Sequence, residues 1–133
     1  MEISEVAYIA GLFDVSGHVA CYKKQTKHKD RGNKVYDQWY IRCEIALTDK
    51  DVITGIHETL GFGWSNEKKN KGTPKKQWWR WACGHRDALT FAKLLWPYAQ
   101  IKLHKLEQII DHYDPEVGNE NVVSLESYRN EKR

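Results

Sequence analysis

Apolar residues recur along this chain first at helical and then at strand spacing, and the switches between the two periods mark out its elements. Val6, Ile9, Ala10 and Phe13 fall three and four residues apart, the repeat of one helix face. Ser4 followed by Glu5 supplies an N-cap, and Gly17 closes the segment. From His18 to about His28 the period shortens to two, with Val19 and Cys21 on one face and Ala20, Tyr22 and Lys24 on the other. Lys29 to Lys34 forms a turn, and beyond it Trp39, Ile41, Cys43, Ile45 and Leu47 alternate with Tyr40, Arg42, Glu44 and Ala46. The pattern predicts a helix and then a long β-hairpin with one apolar face and one polar, aromatic face.

The second half repeats that order. Thr48 and Asp49 cap a helix whose stripe is Val52, Ile53, Ile56 and Leu60, ended by Gly61. Strands are expected over about Gly63 to Lys68 and Lys76 to Gly84, joined by a turn through Gly72 and Pro74. In the second of these strands, either Trp79 and Trp81 or Trp78 and Arg80 must face the core. Arg80 is expected outward, because burying an unpaired guanidinium is costly and Trp79, Trp81 and Cys83 make one coherent apolar face. A third helix begins near Arg86 and ends at Pro97, and a fourth runs from Leu103 to about His112 with Leu106, Ile109 and Ile110 inward. From Asp114 the chain is polar, with at most a short helix after Ser124. The expected organisation is one domain over residues 1–113 and a tail over 114–133.

On the first helix lies Ile9-Ala10-Gly11-Leu12-Phe13-Asp14-Val15-Ser16-Gly17. This stretch resembles the LAGLIDADG motif of homing endonucleases. It fills the motif without gaps, keeping Ala10, Gly11, Leu12, Asp14 and Gly17. Gly61-Phe62-Gly63 resembles the family's glycine-containing start of the third strand, and the run from Pro97 to Leu103 resembles its proline, aromatic and lysine stretch. The resemblance covers about residues 4 to 112. It implies an α+β fold of order αββαββα, in which a four-stranded antiparallel saddle lies across the DNA major groove with its helices packed on one face.

What the resemblance implies for chemistry is mixed. The family's metal-binding acid occupies the eighth motif position, and here that position is Ser16. A neutral hydroxyl replaces a carboxylate where a hard Mg²⁺ ion would be held between protein and phosphate, at a cost of roughly 3 kcal/mol or more in transition-state stabilisation. Asp14 and Asp49 are candidate substitute ligands, and Lys102 matches the family's basic residue near the scissile phosphate. Asp14 can equally accept hydrogen bonds across the helix pair, and Asp49 can equally be a helix cap. Ala10, Gly11 and Asp14 mark the interface, because one motif supplies half of a central helix pair and so implies a symmetric homodimer.

The formal net charge of +3 is small, but lysines and arginines cluster between Lys23 and Lys34 and again between Lys68 and Lys76, which favours a polyanionic partner. Tyr22, Lys24, Tyr40, Arg42, Glu44, Asn66, Lys68 and Arg80 are the candidate DNA contacts, side chains suited to reading base edges from a β-ribbon. The abundant tryptophans are expected chiefly in the core. Three separated cysteines argue against a disulfide framework, and the scattered histidines show no zinc spacing. No apolar run approaches a membrane span, and the acidic opening Met1 to Glu5 is unlike a signal peptide. The expectation is therefore an intracellular protein that binds double-stranded DNA as a homodimer, with nuclease activity weak or lost, no small-molecule substrate, and Mg²⁺ needed only if it cleaves. Two alternatives stand beside it: an active Mg²⁺-dependent homing endonuclease using Asp14 or Asp49, and a maturase-like RNA-binding protein.

Overall fold

In a computed structural model, residues 1–28, 32, 34–68 and 76–113 are described. The elements are α1 (Ile3–Ser16), β1 (Gly17–His28), β2 (Lys34–Leu47), α2 (Lys50–Leu60), β3 (Trp64–Lys68), β4 (Trp78–Gly84), α3 (Arg86–Leu95) and α4 (Leu103–Tyr113). Lys29 and Arg31, the stretch 69–75, and the tail 114–133, where at most a short helix is expected after Ser124, lie outside the described residues.

The strands form one antiparallel sheet in the order β1-β2-β4-β3, so the two hairpins meet through β2 and β4. Facing pairs there include Cys43 with Cys83 and Ile45 with Trp81. All four side chains are fully buried, and Val6, Ile9, Phe13, Ile53, Ile56, Phe91, Leu95, Leu106 and Ile109 close over them. Burial of an aliphatic or aromatic side chain stabilises by about 1.5–3 kcal/mol, and this layer, one sheet face under four helices, holds the fold. It is the α+β arrangement expected.

Local chemistry sets the ends of the elements. The N-cap of α1 is Glu2 rather than Ser4: the Glu5 carboxylate reaches back to accept the Glu2 backbone N–H at 3.3 Å, a reciprocal cap that draws the helix start two residues earlier. Asp49 caps α2 by accepting the Val52 N–H at 3.1 Å. Gly61 ends α2 in the left-handed conformation. Gly63, at φ 84°, lies so close to β4 that a Cβ would stand 2.6 Å from the Ala82 carbonyl, and this admits the Trp81 indole N–H to the Phe62 carbonyl at 3.0 Å.

Candidate nucleic-acid interface

Strict alternation gives the sheet a second face, away from the helices. The register pairs Ala20 with Arg42, Tyr22 with Tyr40 and Lys24 with Gln38 between β1 and β2, and Glu44 with Ala82 and Ala46 with Arg80 between β2 and β4. Asn66 pairs with Arg80 and Lys68 with Trp78 on the outer strand. The even-numbered residues of these pairs thus lie on the outer face, and all eight candidate DNA contacts share it. Arg80 is outward as expected, with Trp81 and Cys83 buried behind it and Trp79 partly so.

The centre of this face is an ion cluster. Glu44, its side chain only 13% exposed, accepts from the guanidinium of Arg42 at 3.3 Å and from that of Arg80 at 3.3 Å through one oxygen, and from the Lys68 ammonium at 3.3 Å through the other. Arg42 also donates to the Tyr40 hydroxyl at 3.2 Å and lies 5.2 Å over the Trp64 ring. Arg80 Nε donates to Asn66 at 2.8 Å. The Tyr22 and Tyr40 rings meet at 5.3 Å, and Lys24 stands exposed beyond them. Three cations around one carboxylate leave the centre positive. Side chains held this way present donors in fixed positions toward a partner rich in acceptors and negative charge.

Two tryptophans also belong to this face. Trp78 lies outward with Arg80, as their shared parity requires, and Trp64, which the sequence leaves unassigned, lies outward too; both stay exposed. Trp64 and the exposed Trp39 correct the expectation that the tryptophans lie chiefly in the core, which Trp81 and Trp96 meet. Parity is the signal that finds them, since Trp64 shares it with Asn66 and Lys68, and Trp78 shares it with Arg80.

The motif residues sit at one end of the sheet. Gly17 opens β1 opposite Ile45, near the end of β2, so Ser16 before it and Asp49 beyond the end of β2 lie at the same end of the sheet. Gly17 is required there: a Cβ would lie 2.3 Å from the Phe13 ring and 2.4 Å from the Phe13 carbonyl. Asp14 is buried, and its two oxygens accept the backbone N–H of Gln100 at 2.9 and 3.1 Å and that of Lys102 at 3.0 Å. This fastens the end of α1 to the link before α4. Ala10 packs inward, while Gly11 faces outward, where a Cβ would meet nothing within 4 Å.

Ser16 is neutral, both Asp14 oxygens are committed to backbone N–H groups, and one Asp49 oxygen caps α2. Among the described residues no cluster of three or more His, Cys, Asp or Glu side chains is placed to hold a metal ion. Among the described residues, no helix is long and apolar enough to cross a membrane.

No protein-family model matches this sequence, and no curated protein matches it. Solved structures do match in fold. The homing endonuclease I-CvuI in complex with its target is 18% identical at a TM-score of 0.64, over 95% of this chain and 75% of that one. The archaeal intron-encoded homing endonuclease I-Vdi141I complexed with DNA is 17% identical at 0.64, over 100% of this chain and 86% of that one. The meganuclease I-SmaMI bound to uncleavable DNA is 14% identical at 0.60, and 97% of this chain matches 45% of that one. The four-stranded antiparallel sheet under its helices superposes on these structures: the chain has the fold of the LAGLIDADG homing endonucleases.

Proposed function

We propose that the chain is a sequence-specific double-stranded DNA-binding protein that acts as a homodimer, with its nuclease activity weak or lost. The observation that carries this reading is the outer sheet face, where Tyr22, Lys24, Tyr40, Arg42, Asn66, Lys68 and Arg80 share one surface around a positive centre. A twisted antiparallel ribbon of this kind fits the major groove, where Arg, Lys and Asn side chains distinguish base pairs by their donor and acceptor patterns. The solved structures of the same fold hold DNA, which supports the choice of partner.

The dimer rests on α1, which is apolar on both sides. Val6, Ile9, Ala10 and Phe13 face the core, while Ile3, Tyr8 and Val15 are exposed, Val15 at 73%, and flank the open Gly11. A helix apolar all round calls for a second partner, and a self-complementary stripe makes an isologous contact.

Loss of cleavage rests on Ser16 and on the other roles of Asp14 and Asp49. The test is to select duplexes from a random library, then incubate the enriched site with Mg²⁺ or Mn²⁺ and either the native chain or Ser16→Asp. Expected are an enriched, roughly palindromic site, no detectable cleavage by the native chain, and slow double-strand cleavage by Ser16→Asp. Brisk cleavage by the native chain, abolished by Asp14→Asn or Asp49→Asn, would overturn the loss of activity. A second reading, RNA binding, is favoured by one observation, the exposed indoles of Trp64 and Trp78, on which single-stranded bases can stack. Enrichment of structured RNA over duplex DNA in the same selection would decide for it.

A further inference from the structure

The cluster around Glu44 carries an inference that rests on the DNA-binding reading and deepens it. We propose that Glu44 is an internal counterion that sets sequence discrimination: it occupies Arg80 and Lys68 in the free protein and yields them to base-edge acceptors, while withholding them from phosphates of unrelated DNA.

A cationic face unaided discriminates poorly. Free arginines and lysines bind any duplex through its phosphates, with an affinity set by the counterions released and indifferent to sequence. A carboxylate among them competes for the same donors. Glu44 does so from an enclosed position, 13% exposed, where its pairs at 3.3 Å with Arg42, Arg80 and Lys68 are less screened than surface pairs.

The three cations are not equivalent. The Arg42 head group is fixed on three sides, by Glu44, by the Tyr40 hydroxyl and by the Trp64 ring. Its Nε is buried without a partner among the described residues. Arg42 is therefore the most constrained of the three and, besides its place on the DNA-facing surface, serves to position Glu44. Arg80 commits Nε to Asn66 and Nη1 to Glu44, leaving Nη2 available. Lys68 has the most exposed side chain of the three, 37% against 24% for Arg42 and 27% for Arg80.

Arg80 and Lys68 can thus turn from Glu44 to a guanine O6 or N7 that stands over the sheet, a strong acceptor in a defined place. Backbone phosphates at the groove edges offer no such replacement at the centre of the face. Once the cations turn away, Glu44 repels any phosphate brought close to it. The carboxylate thereby lowers affinity for every duplex but lowers it most for the wrong ones, which is specificity obtained through a repulsive element.

The test compares the native chain, Glu44→Gln and Glu44→Asp, each confirmed as folded by thermal unfolding. Binding is measured to the selected site and to an unrelated duplex of equal length across a salt series. Glu44→Gln should bind the unrelated duplex about tenfold more tightly, with a slope of log K against log salt steeper by about 0.9 for each cation released. It should gain less on the selected site, so the ratio between the two narrows. Glu44→Asp keeps the charge and should keep the native slope. Three results overturn the proposal: equal loss of affinity for both duplexes in Glu44→Gln, an unchanged slope on the unrelated duplex, or the same steepening in Glu44→Asp. If the native chain binds no duplex at any salt, the DNA-binding reading itself fails, a result distinct from these three.

Discussion

Asp14, in the last turns of the first helix, accepts the backbone N–H of Lys102 at 3.0 Å across 88 positions of sequence. The same carboxylate also holds Gln100 N–H, so a motif residue ties α1 to the start of α4. Hydrogen bonds to a buried charged group contribute about 1.5–3 kcal/mol. Asp14→Asn keeps the shape but turns an amide donor toward backbone donors. It should lower stability by about that amount in denaturant unfolding, with or without divalent metal. Full stability in Asp14→Asn would show that the carboxylate is not a structural clamp.

Two glycines of the motif should respond in opposite ways. Gly17→Ala drives a methyl into the Phe13 ring and carbonyl and should cost about 1–3 kcal/mol, the usual range for overpacking. Gly11 faces open space, so Gly11→Ala should leave the folded chain as stable or more so, since alanine exceeds glycine in helix propensity by about 1 kcal/mol. Gly11→Leu should leave far-ultraviolet circular dichroism intact yet halve the sedimenting mass, by holding apart two helices that would otherwise meet. Equal loss of fold in both Gly11 variants would contradict the assignment of that face to assembly.

The outer face separates affinity from sequence preference. Lys24→Ala should weaken binding to all duplexes alike and reduce the salt slope by about 1, the signature of a phosphate contact. Arg80→Ala should cost about 1–3 kcal/mol at particular base positions and relax preference there. Binding arrays over single-base variants of the selected site check both; uniform loss in Arg80→Ala would place it on phosphate instead.

The cysteines offer a measure of the core. A hydrogen bond with Cys83 and burial push the Cys43 thiol well up, and burial raises that of Cys21. All three are free. At neutral pH the half-buried Cys21 should react first with a thiol reagent, and Cys43 and Cys83 only on unfolding. A thiol raised in the folded state favours the protonated form, so its contribution to stability is present below the ordinary thiol value of 9.0 and is lost as pH rises from there toward the raised value. Rapid modification of three thiols in the native protein would contradict the buried β2–β4 seam.

Much of this arrangement is legible in the sequence because period and parity are local. The alternation from Trp39 to Leu47 settles which residues share a face, and one energetic argument, the cost of burying Arg80, settles β4. Contacts between distant segments are not legible. Glu44 meets Arg80 across 36 positions only because β2 lies beside β4, and no repeat in the chain announces that neighbour. In the sequence Asp14 reads either as a substitute metal ligand or as a hydrogen-bond acceptor across the helix pair, and its partners here are backbone N–H groups of Gln100 and Lys102, which carry no side-chain signature. The start of α1 shifts because Glu5 can serve a cap at Glu2 as well as follow one at Ser4. Size alone sends tryptophans inward, whereas Trp64 follows the parity of its strand, as Trp78 does with Arg80.

The most direct measurement is the sedimenting mass of the protein with its selected duplex at moderate salt. Two chains of 15.6 kDa on each duplex are expected, at a site whose halves mirror one another. One chain per duplex, or free duplex sedimenting apart from the protein, would contradict the claim that paired sheet faces read double-stranded DNA.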